Sequence, residues 1–201
     1  MLINKKIDDF VRYCETLKFY QMVALLFEKF NMDGWIVAND FFTPVDVMFL
    51  GEKVDVFNVK TEKIPEIVED IIQKYGLNVS FCQRLKTNKA LRYLVAIGFH
   101  DCRLLNVDNK KDFWELCLDG SSLCYEEYHT VEVRLIFKQV TSNRPESLED
   151  ETPYYVDRQE VYCLDDGQML AIFQFSNRGA EFKRLEMEIS FLDVEMEIKT
   201  V

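Results

Sequence analysis

His100, Asp101 and Cys102 stand side by side, and a base, an acid and a thiol are the parts of a nucleophilic site. That chemistry also needs donors for a developing oxyanion and a strained turn that presents the nucleophile. No G-x-S-x-G or comparable elbow occurs in the chain. A single histidine at a junction between elements is more often structural than catalytic, and that is the expectation here. Cys117, Cys124 and His129, with His100 or Cys102, offer the thiolate and imidazole ligands that zinc prefers. Their spacing fits no common zinc module, so neither a metal nor a cofactor is expected.

Pro44-Val45-Asp46 and Asn58-Val59-Lys60 lie on the two strands of an expected hairpin, in the order helix, strand, hairpin, helix, strand over residues 7–83. This stretch, less than half of the chain, resembles the core of the restriction-endonuclease-like nucleases, the PD-(D/E)xK group. The resemblance implies carboxylates around magnesium and a lysine that helps activate water. Asp46 matches the first position and Lys60 the last. Asn58 stands where a carboxylate belongs, and an uncharged amide is a poor magnesium ligand. The implied site is therefore a degenerate one.

The most regular chemistry lies at the C-terminal end. Leu185, Met187, Ile189 and Phe191 alternate with Glu186, Glu188 and Ser190. After Leu192 the phase slips by one, and Val194, Met196 and Ile198 alternate with Asp193, Glu195 and Glu197. A strand holds alternate side chains about 6.7 Å apart on one face, so these acids form a fixed row of carboxylates. With Glu149, Asp150 and Glu151 in an acidic loop and Asp165 and Asp166 in a turn, the row partly imitates a phosphate backbone. A solvated outer face gives the same pattern, and so does edge protection. Arg84, Lys86, Lys89 and Arg92 form the one local basic cluster; no P-loop or dinucleotide fingerprint accompanies it.

The elements that must position these residues follow from periodicity. Ile7 to Leu26 has helical spacing, with a break expected near Phe19 and an end at Asn31–Gly34. Trp35–Val37 reads as a strand beside a hairpin of Val45–Leu50 and Val54–Lys60. Ile64–Tyr75 is a helix opened by Pro65 and closed by Gly76. A strand is expected at Asn78–Gln83, a helix at Asn88–Ile97 capped by Thr87, a strand at Cys102–Val107, and a short helix after Asp108 carrying Phe113 and Trp114. From Thr130 the period becomes two: a strand to Val140, a hairpin of Gln159–Leu164 and Gln168–Phe175, and a long last strand from Phe182 to Lys199 bearing a β-bulge.

The totals bound the rest. The chain has 201 residues, 48% of them hydrophobic, which suffices for a sizeable core. The fold class expected is α+β: an α/β half over 1–128 and an antiparallel β half over 129–201, separate or continuous. The first residues are charged where a signal peptide is apolar, and six scattered cysteines read as reduced thiols, so a cytoplasmic location is expected. Residues 1–120 carry 18 acids and 16 bases, and residues 121–201 carry 17 acids and 8 bases. Such an excess repels nucleic acid and anionic lipid and attracts basic proteins. The reading leans away from an enzyme. It favours an acidic binding module, akin in character to small immunity proteins and phage-encoded inhibitors of host defence, with the nuclease-like domain as the alternative.

Overall fold

The computed structural model describes residues 2–31, 59–110, 113–120, 131–144, 153–164, 167–178 and 182–200. It contains helices and an antiparallel sheet and is thus α+β. The chain divides into two compact units, Met1–Thr87 and Asn88–Val201. The charge imbalance follows this division: the second unit holds 22 acids against 13 bases, and the first 13 against 11.

The first unit is helical where described. Helix α1 (Leu2–Asn31) runs without the break expected at Phe19, because the aromatic residues there find partners on neighbouring helices. Phe19 stacks on Tyr75 at 3.7 Å, Tyr20 meets Phe81 edge-on at 4.9 Å, and the Asn78 amide donates to the Tyr20 hydroxyl at 2.7 Å. Helix α2 (Ile64–Tyr75) has Pro65 in its first turn and ends at Gly76, whose φ of 60° only glycine adopts freely. Helix α3 (Val79–Thr87) replaces the strand expected at 78–83. Asn78 Oδ1 accepts from the Phe81 amide at 2.9 Å, an N-cap, and the buried Phe81, Cys82 and Leu85 follow helical spacing. The strand at 35–37 and the hairpin expected at 45–60 lie outside the described residues except for Val59 and Lys60, which form a bend ahead of a 3-10 turn and not the end of a strand.

The second unit opens with helix α4 (Lys89–Arg92), which continues as a π turn over Tyr93–Ile97. Its cap is Asn88, whose Oδ1 accepts from the Leu91 amide at 2.9 Å. Thr87, expected to cap this helix, instead bonds back to the Gln83 carbonyl and closes α3. The strands are β1 (Arg103–Lys110), β2 (Phe113–Asp119), β3 (Val131–Lys138), β4 (Ser142–Arg144), β5 (Tyr154–Cys163), β6 (Met169–Asn177), β7 (Arg184–Phe191) and β8 (Asp193–Thr200). The helix expected after Asp108 is the β1–β2 hairpin. Trp114, Leu116 and Leu118 alternate into the core, and Asp108 lies opposite Glu115 in the ladder. β2 precedes residue 128 and β3 follows it, yet they pair along their whole length.

The strand order is β4-β7-β6-β5-β1-β2-β3-β8, with every pairing antiparallel. Its two ends join, because β3 runs on into β4 and β7 into β8. Lys138 lies opposite Asp193 and Ser142 opposite Ser190, and the Leu192 amide donates to the Lys138 carbonyl at 3.2 Å across the bend. The sheet therefore closes on itself, with β3–β4 and β7–β8 as two long strands bent at a corner. The single long strand expected at 182–199 is in fact bent at Leu192, where its phase slips. The extra residue sits on the facing strand: three residues separate Lys138 from Ser142, two separate Ser190 from Asp193, and Gln139 takes φ 51°.

The interior is filled by side chains. Trp114, Phe137, Phe173, Phe175 and Phe191 are fully buried, and the Phe137 ring sits 5.0 Å from Phe191 and 6.2 Å from both Trp114 and Phe173. Helix α4 packs on β8 and its π turn on β5. The thinnest join is β1–β5, with the single pair Arg103–Tyr155 and flanking bonds from Asp101 to Val156 and from Val156 to Cys102.

Candidate functional site

Aromatic side chains fill the interior, and the polar side chains of the described strands stand on the outer face of the barrel. Register places Glu195 and Glu197 of β8 opposite Ile136 and Arg134 of β3, which lie opposite Glu115 and Cys117 of β2. Arg134 is the hub. Its Nε lies 3.0 Å from Glu115 Oε1, its Nη2 3.2 Å from Glu132 Oε1, and its Nη1 3.8 Å from Glu197 Oε2. The Glu115 carboxylate holds the guanidinium pKa above its ordinary value. Cys117 Sγ sits 3.4 Å from Glu115 Oε1; burial and then that carboxylate push its thiol pKa up, the opposite of what a nucleophile needs. Lys138 forms an ion pair with Glu195. Asp193 accepts from Asn88 Nδ2 at 2.9 Å, and the same amide group also donates to the Val194 carbonyl at 2.9 Å.

The acids of β7 have different neighbours. Glu186 lies opposite Gln174 and accepts from its Nε2 at 2.8 Å. Glu188 lies opposite Ile172 on one side and Arg144 on the other. Beyond β6, Arg158 forms an ion pair with Glu160, which also accepts from the Tyr162 hydroxyl. Burial, and then the Glu186 charge, raise the Tyr162 pKa. The outer face of β5–β6–β7 therefore carries Arg158, Glu160 and Tyr162, then Gln174, Ile172 and Leu170, then Glu186, Glu188 and Ser190.

Of the acids singled out in the sequence, Glu186, Asp193, Glu195 and Glu197 are exposed and Glu188 is half-buried. On the inner side Leu185, Met187, Ile189 and Val194 are buried, while Met196 is half-buried. Glu149, Asp150, Glu151, Asp165 and Asp166 lie outside the described residues, as do Asp46, Asn58, Cys124 and His129. Lys60, the third member of the nuclease-like set, is exposed and extended just ahead of a 3-10 turn over Thr61–Lys63. Cys102 is fully buried, whereas His100 is exposed with Nδ1 3.1 Å from Asp101 Oδ2, so base and thiol do not share a site. Asp101 also takes an ion pair from Arg178, whose guanidinium lies 4.4 Å over the Tyr155 ring. In the basic cluster Arg92 is 3% exposed, so it presents no charge to a phosphate, and the four residues fall on both sides of the boundary between units. Among the described residues no group of three or more His, Cys, Asp or Glu side chains is placed to hold a metal, and no helix is long and apolar enough to cross a membrane.

Sequence reasoning found the acids and missed their partners. Arg134 and Lys138 stand four apart on β3, a spacing that puts both on one face of a strand, and this was the available signal. No family model, curated protein or solved structure matches the chain.

Proposed function

We propose that the chain is a non-enzymatic binding module whose acidic outer face docks on a basic surface of another protein, of the kind that nucleic-acid-binding proteins present. The observation that carries the reading is the exposed, rigid row of Glu186, Asp193, Glu195 and Glu197 along the bent β7–β8 strand, in a unit with 22 acids against 13 bases. A sheet holds these charges at fixed spacing, so their fields add without the entropic cost of ordering a loop. An inhibitory or immunity role is the biological form such a module would take. Lys138 and Arg134 already neutralise part of the β8 row, so Glu186 of β7, opposite the neutral Gln174, supplies the less compensated charge. The test is recovery of a stoichiometric basic partner from the native host, released by rising salt, together with loss of that partner on Glu186→Lys plus Glu188→Gln. Failure to find a salt-sensitive partner, or retention of it by that folded variant, overturns the reading.

A further inference from the structure

We propose that the β1–β5 seam is a gate in the barrel wall, held shut by a strap in which Arg178 crosses Tyr155 to reach Asp101, and that the barrel opens there as a local event separate from unfolding. The proposal stands apart from the basic-partner reading. The β1–β2 ladder holds seven residue pairs and the β5–β6 ladder nine, whereas β1 and β5 share one, Arg103 with Tyr155. Two backbone bonds flank that pair. The Asp101 amide donates to the Val156 carbonyl and the Val156 amide to the Cys102 carbonyl, each at 2.9 Å. Beyond this pair β1 has no strand partner on that side among the described residues. Local openings start where few backbone bonds must break.

One side chain spans this weak place. Arg178 leaves the end of β6, lies 4.4 Å over the Tyr155 ring of β5, and forms an ion pair with Asp101 in the loop ahead of β1. It ties together three segments that the ladder joins at a single pair. Asp101 takes φ 65°, a left-handed conformation that is costly for a residue with a Cβ and is relieved once the loop is free. His100 Nδ1 lies 3.1 Å from the same carboxylate, but that side chain is exposed and adds little to the hold. Phe99, Cys102 and Val156 are buried at the seam. Opening therefore bares apolar surface, and the open form is a minor state. It also uncovers the Cys102 thiol, which is out of reach while the seam is shut.

The experiment is iodoacetamide labelling of the full, reduced chain in rising urea, read at Cys102 by peptide mass spectrometry, with circular dichroism following global unfolding. A local opening exposes little surface, so below the global transition Cys102 should react at a rate almost independent of urea. Arg178→Ala removes the strap, and Asp101→Asn removes its carboxylate while keeping a residue that tolerates positive φ. Each should raise the low-urea rate at Cys102 about threefold to tenfold, the effect of an exposed ion pair together with a ring contact. Gln139→Val is the control, since it destabilises the unit at the corner of β3 and β4. It should lower the urea midpoint and leave the low-urea rate at Cys102 unchanged. A rate that climbs with urea from the first addition, in step with global unfolding, overturns the proposal. So does a rate unchanged in both strap variants, or one raised as much by Gln139→Val as by Arg178→Ala.

Discussion

Gln159 on β5 donates from Nε2 to the Leu94 carbonyl at 2.6 Å, and its Oε1 accepts from the Phe99 amide at 3.0 Å. One side chain thus satisfies both a carbonyl released by the π turn and an amide just beyond it, where Gly98 takes φ 79°. Over this stretch β5 has the helix end for a neighbour in place of a strand. The bond is part of what closes the barrel beside its thin β1–β5 join.

Gln159→Leu keeps the bulk and removes both bonds. It leaves a donor and an acceptor unpaired in a partly buried place, so the expected loss is about 2 kcal/mol. Thermal unfolding followed by circular dichroism should show Tm lower by about 5 °C or more. An unchanged Tm would show that water replaces the side chain there at no cost.

Gln139 holds φ 51° at the corner where β3 bends into β4, and its side chain is exposed. Gln139→Gly relieves the left-handed strain while loosening the unfolded chain, for a net gain of about 0.5 kcal/mol. Gln139→Val, branched at Cβ, should cost about 1 kcal/mol or more. Paired urea titrations of the two variants measure both signs at once.

Phe137 touches Trp114, Phe173 and Phe191 at the centre of the barrel. Phe137→Ala should cost about 3–5 kcal/mol, the usual range for a buried aromatic, with broadened tryptophan emission as Trp114 gains solvent. Retention of wild-type stability would mean that the aromatic cluster is not the core of this unit.

What the sequence disclosed depends on how local the determining contacts are. Ile64–Tyr75 was legible because its stripe, Pro65 and Gly76 all lie within the helix itself. The β7 and β8 alternation was legible for the same reason. Residues 78–83 and 108–114 were not, since a short apolar run fits both periods and the arbiters were a single cap at Asn78 and the Glu115–Asp108 pairing. The corner at Leu192 showed as a phase slip, but nothing local tells a bulge on one strand from an extra residue on its partner. The neutralisation of Glu195 by Lys138 joins residues 57 apart and exists only once the ladder is formed.

Cys117 and Tyr162 both have acid groups with pKa raised by burial. Each retains its proton in the folded chain at a pH where the unfolded chain has released it. Their contribution to stability is therefore fully present below the unfolded values, about 8.5 and 10, and declines as pH rises through and beyond them. Urea midpoints measured from pH 7 to pH 10.5 should fall across that window, and the fall should be shallower in Tyr162→Phe. A midpoint constant to pH 10.5 would contradict both shifts.

The acidic row separates into two halves that charge reversal should distinguish. On β7, Glu186 lies opposite the neutral Gln174 of β6, whereas Glu188 lies between Ile172 of β6 and Arg144 of β4, so Glu186→Lys plus Glu188→Gln sets no like charges opposite one another. Surface changes of this type usually shift stability by no more than about 0.5 kcal/mol, so the variant should unfold close to wild type. On β8, Glu195→Lys and Glu197→Lys set new cations against Lys138 and Arg134, their present partners, and Tm should fall. Reversal of β8 therefore confounds binding with folding, and Glu195→Gln plus Glu197→Gln is the cleaner variant there. It removes the carboxylate from Lys138 while Arg134 keeps Glu115 and Glu132, and so lowers the attraction for a basic partner as well. Binding to the recovered partner, measured by isothermal titration, should be lost in the β7 variant and weakened in the β8 variant. Both effects should shrink as salt rises, since the contacts lie within a screening length of about 8 Å at physiological ionic strength. Equal affinity of the wild type and the folded β7 variant would reduce the row to a solvated face and move the search for a contact surface to the helical unit.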